Sequence, residues 1–247
     1  MRKRCGLFLV LTLAGCAPAV APPQAPMPAA TAGAARLPND IHWFRNSAEH
    51  RTLFVQTYRT AGNQLRELAR GQAPGSWAVI LDADETVLDN SMYQVRITQR
   101  GERFASDTWN AWVREARATA LPGSMGFVQL ARQLGGRVAI VTNRDDVVCP
   151  ETRQNLRTLG FVVDVVLCKP EGLSDKGPRF QAVAQGTAAP GLPALRVLMY
   201  VGDNIQDFPG LTQEVRNSPA SALERFGRSY FLLPNPMYGS WERNPAQ

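Results

Sequence analysis

The fold class predicted for this chain is α/β, a parallel sheet with helices on both faces and a small helical cap. Three observations predict it. Trp77-Ala78-Val79-Ile80-Leu81 is an apolar run that breaks abruptly into Asp82, Asp84 and Glu85, as a buried strand does where it opens into a loop. From Pro122-Gly123 onward, apolar strand-like runs alternate with helix-spaced segments, which implies parallel strands joined by helical crossovers. From Asp89 to about Arg117 there is no strand-like run, so this stretch reads as a helical insertion above the strand ends.

The chain of 247 residues holds enough apolar material for a sizeable core. Residues 1–15 read as a targeting segment. Arg2-Lys3-Arg4 precede the apolar run Leu7-Phe8-Leu9-Val10-Leu11, which is too short to cross a bilayer. Leu13-Ala14-Gly15-Cys16 resembles a bacterial lipoprotein signal, with Cys16 lipidated; an ordinary secretory signal is the alternative. Either implies export, and the first implies a lipid anchor in the cell envelope, at the outer membrane or the periplasmic face. Residues 16–38 carry five prolines before the first charge, Arg36, and suit an extended tether. Of the formal net charge of +6, three charges lie in the leader, leaving +3 without basic runs, which argues against nucleic acid as the main partner.

Residues 39–247 form the expected domain. Ser47 is placed to cap a helix bearing Phe54, Tyr58, Ala61, Leu65 and Leu68 at 4-3-4-3 spacing, ended by Gly71. His42 and His50 read as surface residues. Ser106 is placed to cap a helix carrying Trp109, Trp112 and Val113, whose simplest role is cap core. The two helical stretches, about 39–71 and 89–121, are expected to form the cap together. The remaining strands are expected at Val138–Val141, Val162–Leu167, Val197–Val201 and Tyr230–Leu233. Helices are expected at Phe127–Leu134, from about Glu151 to Gly160, and at Lys176–Gln185.

Parallel sheets carry their chemistry beyond the carboxyl ends of strands. Those ends present, in order, Asp82 and Asp84, then Thr142, then Lys176 on a following helix, then Asp203 and Asp207. Two carboxylates one residue apart repel, and a hard divalent cation relieves that repulsion. A solvated turn or helix start explains the first acidic cluster alone equally well.

The set in order resembles the haloacid dehalogenase-like (HAD) phosphohydrolases, a Rossmannoid fold with motifs DxDx[TV], Ser/Thr, Lys and GDxxxD. LDADETVLDNSMY, TNR, SDKGPRF, YVGDNIQDF and LPNPMYGSWE resemble more closely its subfamily IIIB, the class C acid phosphatases, bacterial lipoproteins that also act as 5′-nucleotidases. The resemblance spans roughly Trp43 to Glu242. It implies Asp82 as nucleophile forming an aspartyl-phosphate and Asp84 as general acid and base. Mg²⁺ would be held by Asp82, the backbone carbonyl of Asp84 and Asp203, with Asp207 orienting metal-bound water or Lys176. Thr142 and Lys176 would neutralise phosphoryl oxygens, and Asn143 and Arg144 would touch phosphate or the cap. Lys176 is preferred over Lys169 because it opens a helix inside SDKGPRF. Glu85 is left bracing the loop or taking part in the chemistry. Phe104 and Tyr238 correspond to a pair of aromatics that sandwich a base, which implies nucleoside 5′-monophosphates or nicotinamide mononucleotide as substrates. A phosphotransferase on the same fold and a haem-binding surface lipoprotein are the competing readings. The oligomeric state is open, with a homodimer one choice.

Cys149 follows the strand ending at Val141, and Cys168 follows the next. Consecutive strands joined by a right-handed crossover usually adjoin, so a disulfide between them is expected in an exported protein. Two small buried residues that never meet is the alternative.

Overall fold

A computed structural model of the chain describes residues 36–245. The expected leader, Cys16 and most of the tether lie outside the described residues. Two helices come first, α1 (Asn39–Asn46) and α2 (Ala48–Leu68). Ser47 caps α2 as expected, its side chain accepting from the His50 N–H at 3.0 Å.

The central strand is β1 (Trp77–Leu81), buried at every position. The insertion after it contains β2 (Leu88–Asp89), α3 (Ser91–Arg100), α4 (Ser106–Arg114) and β3 (Thr119–Ala120). Strands β2 and β3 pair antiparallel, Leu88 opposite Ala120, so short strands close the base of a segment read as purely helical. Two-residue strands leave no alternation for periodicity to detect. Ser106 begins α4 instead of capping it, with Ala105 at the cap position and no side-chain bond.

The remaining elements are α5 (Ser124–Gln133), β4 (Arg137–Asp145), α6 (Cys149–Thr158), β5 (Val165–Lys169), α7 (Gly177–Gln185), β6 (Arg196–Gly202) and β7 (Tyr230–Leu232). The main sheet runs β5-β4-β1-β6-β7, with all neighbours parallel. Strand β5 starts three residues later than expected because Val162 is exposed and Asp164 ends the preceding turn. The Asp164 carboxylate accepts from Arg137 and from the Val138 N–H, both at 2.8 Å, and also pairs with Arg132.

Alternation along β1 divides the core. Trp77, Val79 and Leu81 face a cluster shared with Phe54, Tyr58 and Leu65 of α2, Phe127 of α5 and Leu156 of α6. Ala78 and Ile80 face a smaller cluster with Phe180 and Val183 of α7. The grouping of residues 39–71 with the cap is corrected here: α2 packs on α5 and on β6 and β7, as a layer of the sheet. Helix α1 packs on the insertion, where Arg45 donates to the Ser91 hydroxyl of α3 at 2.7 Å. Trp109, Trp112 and Val113 of α4 belong to the same buried cluster as the sheet face, so the cap shares the main core.

His50 also departs from its expected surface position. It is buried, its ring 4.0 Å from Phe44 and 4.4 Å from Phe54, and its Nε2 has no hydrogen-bond partner. An apolar stripe hides a histidine well, because its ring packs like an aromatic. Burial lowers its pKa below the ordinary 6.5, against a weaker opposing pull from Asp89. The unfolded chain therefore binds the extra proton and the folded one resists it, so stability is lost as pH falls through the unfolded value. Urea midpoints measured from about pH 7.5 to about pH 5.5 should fall more for wild type than for His50→Phe. Parallel slopes in the two proteins would show that His50 does not contribute.

Candidate active site

Where β1 ends, the chain order reverses: β4 and β5 lie on one side, β6 and β7 on the other. This switch point opens a crevice beyond the strand ends. The Asp82 N–H donates to the Val201 carbonyl at 3.0 Å, so the first residue after β1 is still fastened to β6. A tight loop follows, in which Val87 and Leu88 both donate to the Ala83 carbonyl. Glu85 takes a left-handed backbone with φ 48°, a costly conformation for a residue with a side chain. It is fully buried, and its Oε1 accepts from the Asn90 N–H at 2.8 Å. Glu85 thus braces the loop, and Tyr58 of α2 supports it further by donating to the Thr86 carbonyl at 2.7 Å.

Lys176 stands at the cap position of α7, and its buried ammonium bridges two carboxylates. It lies 2.6 Å from Asp82 Oδ1 and 2.6 Å from Asp207 Oδ1. Lys169 instead pairs with Asp145 at 2.7 Å. Asp207 spends its other oxygen on the Asn204 N–H at 2.9 Å. Its approach depends on Gly202, where an added Cβ would come within 2.3 Å of the Asp207 side chain. Asp203 accepts from Thr86 Oγ1 at 3.3 Å and Asn235 Nδ2 at 2.9 Å. Thr142 is buried in β4, its hydroxyl 3.5 Å from Asp84 Oδ2.

Carboxylate oxygens of Asp82, Asp203 and Asp207 lie within 4.8 Å of one another. Lys176, bonded to Asp82 and Asp207, is the one cation in an ion pair with any of these three acids among the described residues. Burial first, then Asp207 and Asp84 against the opposing pull of Lys176, push Asp82 up to about 7. Burial, Asp207 and Asp82 hold Asp203 well above the usual carboxylate range. Burial alone would lower Lys176, but Asp207 and Asp82 hold its proton more firmly than an isolated lysine would. A surplus of buried negative charge on hard oxygen donors fits a divalent cation, which would relieve it. One oxygen of Asp84, Oδ1, is engaged elsewhere, and Asp84 is not among the three clustered acids.

That other engagement corrects the expectation for Arg144. Its side chain is 1% exposed and its nitrogens are taken up by the protein. Nε lies 2.8 Å from Asp84 Oδ1, Nη2 lies 3.0 Å from Asn90 Oδ1, and Nη1 lies 3.4 Å from Thr152 Oγ1. Arg144 therefore faces Asp84 and Asn90, with no free edge for a substrate. Asn143 is exposed and accepts from Arg179 at 2.6 Å. Phe104, 62% exposed, and Tyr238 line a cavity of about 780 Å³ that also reaches Asp84, Ile97, Trp109 and Asn143. Cys149 and Cys168 form a disulfide, Cα–Cα 5.9 Å, which joins the start of α6 to β5.

Sequence reasoning passed over Asn90, Trp112 as a donor, Asn235 and Tyr58. Asn90 and Asn235 stand inside the stretches quoted for the resemblance, and that proximity was the available signal. Tyr58 carried none beyond its place on an apolar stripe.

Residues 27–241 match the family described as HAD superfamily, subfamily IIIB (acid phosphatase). The chain belongs to that family. The class C acid phosphatase from Bacillus anthracis is 30% identical, with a TM-score of 0.72 over 82% of this chain and 85% of that one. A second structure of that enzyme, with tungstate bound, matches with the same TM-score of 0.72 and 29% identity. Acid phosphatase 1 of Solanum lycopersicum is 28% identical over 160 residues, 64% of this chain and 57% of that one. The stem 31 kDa glycoprotein of Glycine max is 27% identical over 168 residues, 64% of this chain and 58% of that one. This subfamily IIIB chain thus spans less than three fifths of those curated relatives' length.

Proposed function

We propose that the chain is a Mg²⁺-dependent acid phosphatase, hydrolysing phosphomonoesters through an aspartyl-phosphate on Asp82. The observation that carries this reading is the meeting of Asp82, Lys176, Asp203 and Asp207 beside a cavity that reaches Asp84. With Oδ1 committed to Lys176, Oδ2 of Asp82 is the oxygen available to phosphorus. As the new O–P bond forms, the ester P–O bond breaks and Asp84 gives its proton to the leaving oxygen. Asp84 then takes a proton from the attacking water, whose oxygen displaces Asp82 and releases inorganic phosphate. Lys176 and Thr142 would neutralise the charge that spreads over the phosphoryl oxygens. Mg²⁺ held by Asp82, Asp203 and the Asp84 carbonyl would supply further charge neutralisation. A relative that binds tungstate, a tetrahedral oxyanion, is in keeping with a phosphate site here.

Phe104 and Tyr238 favour leaving groups with a flat aromatic face, so nucleoside 5′-monophosphates are the proposed substrates. The mature enzyme should turn over such nucleotides with Mg²⁺ and fall silent in EDTA. Phe104→Ala and Tyr238→Ala should each lower kcat/KM for nucleotides by about 1–3 kcal/mol, the worth of one stacked base, with little change on a small alkyl phosphate. Absence of turnover on every phosphomonoester would overturn the reading; equal losses on both esters would remove the aromatic pair from it. Lipidation at Cys16 and an envelope location remain part of the proposal, supported by the leader pattern and by a disulfide suited to an oxidising compartment. Mass spectrometry of the mature N-terminus checks the first.

A further inference from the structure

We propose that Arg144 and Asn90 are positioning residues that fix which oxygen of Asp84 carries the proton, and that Trp112 of the cap locks them in register. This rests on the phosphohydrolase reading above. Asp84 Oδ1 accepts from Arg144 Nε at 2.8 Å and from Asn90 Nδ2 at 2.8 Å, and Arg144 Nη2 stands beside it as an ion-pair contact at 2.8 Å. An oxygen facing that many donors has no room for a proton of its own. Among the described residues Oδ2 meets only the Thr142 hydroxyl, at a long 3.5 Å, and is the oxygen left to hold and release the proton.

The amide of Asn90 cannot turn over to spoil this arrangement. Its Oδ1 accepts from Trp112 Nε1 at 2.9 Å and from Arg144 Nη2 at 3.0 Å. An indole N–H and a guanidinium can only donate, so that position must be an oxygen, and the amide nitrogen must face Asp84. The nitrogen also reaches the Leu88 carbonyl at 3.3 Å. Arg144 is locked in turn, with Thr152 on Nη1 and the Trp109 ring 5.7 Å from its Cζ. Trp109 and Trp112 both belong to α4. The seating of the cap helix is thereby wired to the orientation of one catalytic carboxylate through two buried side chains. This gives the cap tryptophans a task besides packing.

The measurement is kcat/KM for two esters, an alkyl phosphate whose leaving oxygen needs the proton and p-nitrophenyl phosphate, whose leaving oxygen does not. This ratio reports only steps up to formation of the aspartyl-phosphate, so it isolates proton donation from the later use of Asp84 as base. In Asn90→Ala and Arg144→Met, kcat/KM for the alkyl ester should fall on the order of 10²-fold, within the span of general acid catalysis, while the aryl ester loses less than about tenfold. Trp112→Phe keeps the ring but deletes the N–H, and should give the same skew at about three- to tenfold, the size of one lost hydrogen bond. It serves as the deciding variant if the Arg144 substitution fails to fold. Equal losses on both esters in folded Trp112→Phe and Asn90→Ala would overturn the positioning role and leave the phosphatase reading standing. A wild-type protein inactive on both esters would overturn both.

Discussion

Asp82→Asn should abolish turnover while leaving the fold at least as stable as wild type. The substitution keeps the shape of the side chain and removes the anionic oxygen that must reach phosphorus. On the proposed covalent mechanism Asp82 would act as one unit with Lys176 and Asp84, so its loss should cost at least on the order of 10³-fold in kcat. Stability should move the other way or not at all. Asp82 lies among Asp207, Asp203 and Asp84, and burial with that company lifts its carboxyl to about 7. An amide relieves that repulsion, and Lys176 keeps Asp207 at 2.6 Å as its partner. A kcat assay beside a thermal melt reads both halves. A variant that turns over at near wild-type rate would refute the covalent mechanism, and one that melts much earlier would refute the electrostatic account.

Removal of the cation is the second large effect expected. Protein dialysed against EDTA should lose its activity and recover it on adding Mg²⁺. The same addition should raise the melting temperature, since a ligand that binds only the folded state stabilises it by about 2.7 kcal/mol at a hundred times its Kd. Asp203→Ala should blunt both responses, because it deletes a hard oxygen donor from a cluster within 4.8 Å. The melting shift is independent of catalysis, so it separates a lost metal site from a damaged reaction path. Full activity in EDTA would sink the assignment. A normal Mg²⁺ shift in Asp203→Ala would move the cation away from these carboxylates.

The strength of sequence reasoning here lay wherever a residue's neighbours are covalent. The WAVIL run followed by Asp82 and Asp84 announced a buried strand that opens into an acidic loop, and β1 is buried at every position with Asp82 just beyond its end, bonded to Lys176. The pairing of Cys149 with Cys168 followed from consecutive strands adjoining, which β4 and β5 do. Reasoning failed where the partner came from far away. His50 sits on a helix with charged neighbours and looked solvated, yet Phe44 and Phe54 enclose it. The sequence groups residues 39–71 with the cap as a second helical stretch, but the stripe from Phe54 to Leu65 had equal reason to choose the sheet. An amphipathic stripe states that a face is buried and is silent on what covers it.

Arg144 shows the division most sharply. Beside Thr142 and Asn143, its position in the chain put it at a strand end, where an arginine in a phosphatase is expected to meet phosphate. The backbone alternation of β4 put it on the inward side, where Asp84, Asn90 and Thr152 take up its guanidinium. The sequence by itself determined the parallel α/β architecture, the order of acidic and basic groups along the strand ends and the disulfide. These depend on local periodicity and on the short, right-handed connections that chains obey. Tertiary structure alone decided which oxygen of Asp84 is tied down, that Lys176 stands between Asp82 and Asp207, and that Trp112 of the cap reaches Asp84 through Asn90. Those outcomes depend on side chains separated by up to 94 positions meeting within hydrogen-bonding distance, a geometry set by how layers pack and not by any local pattern.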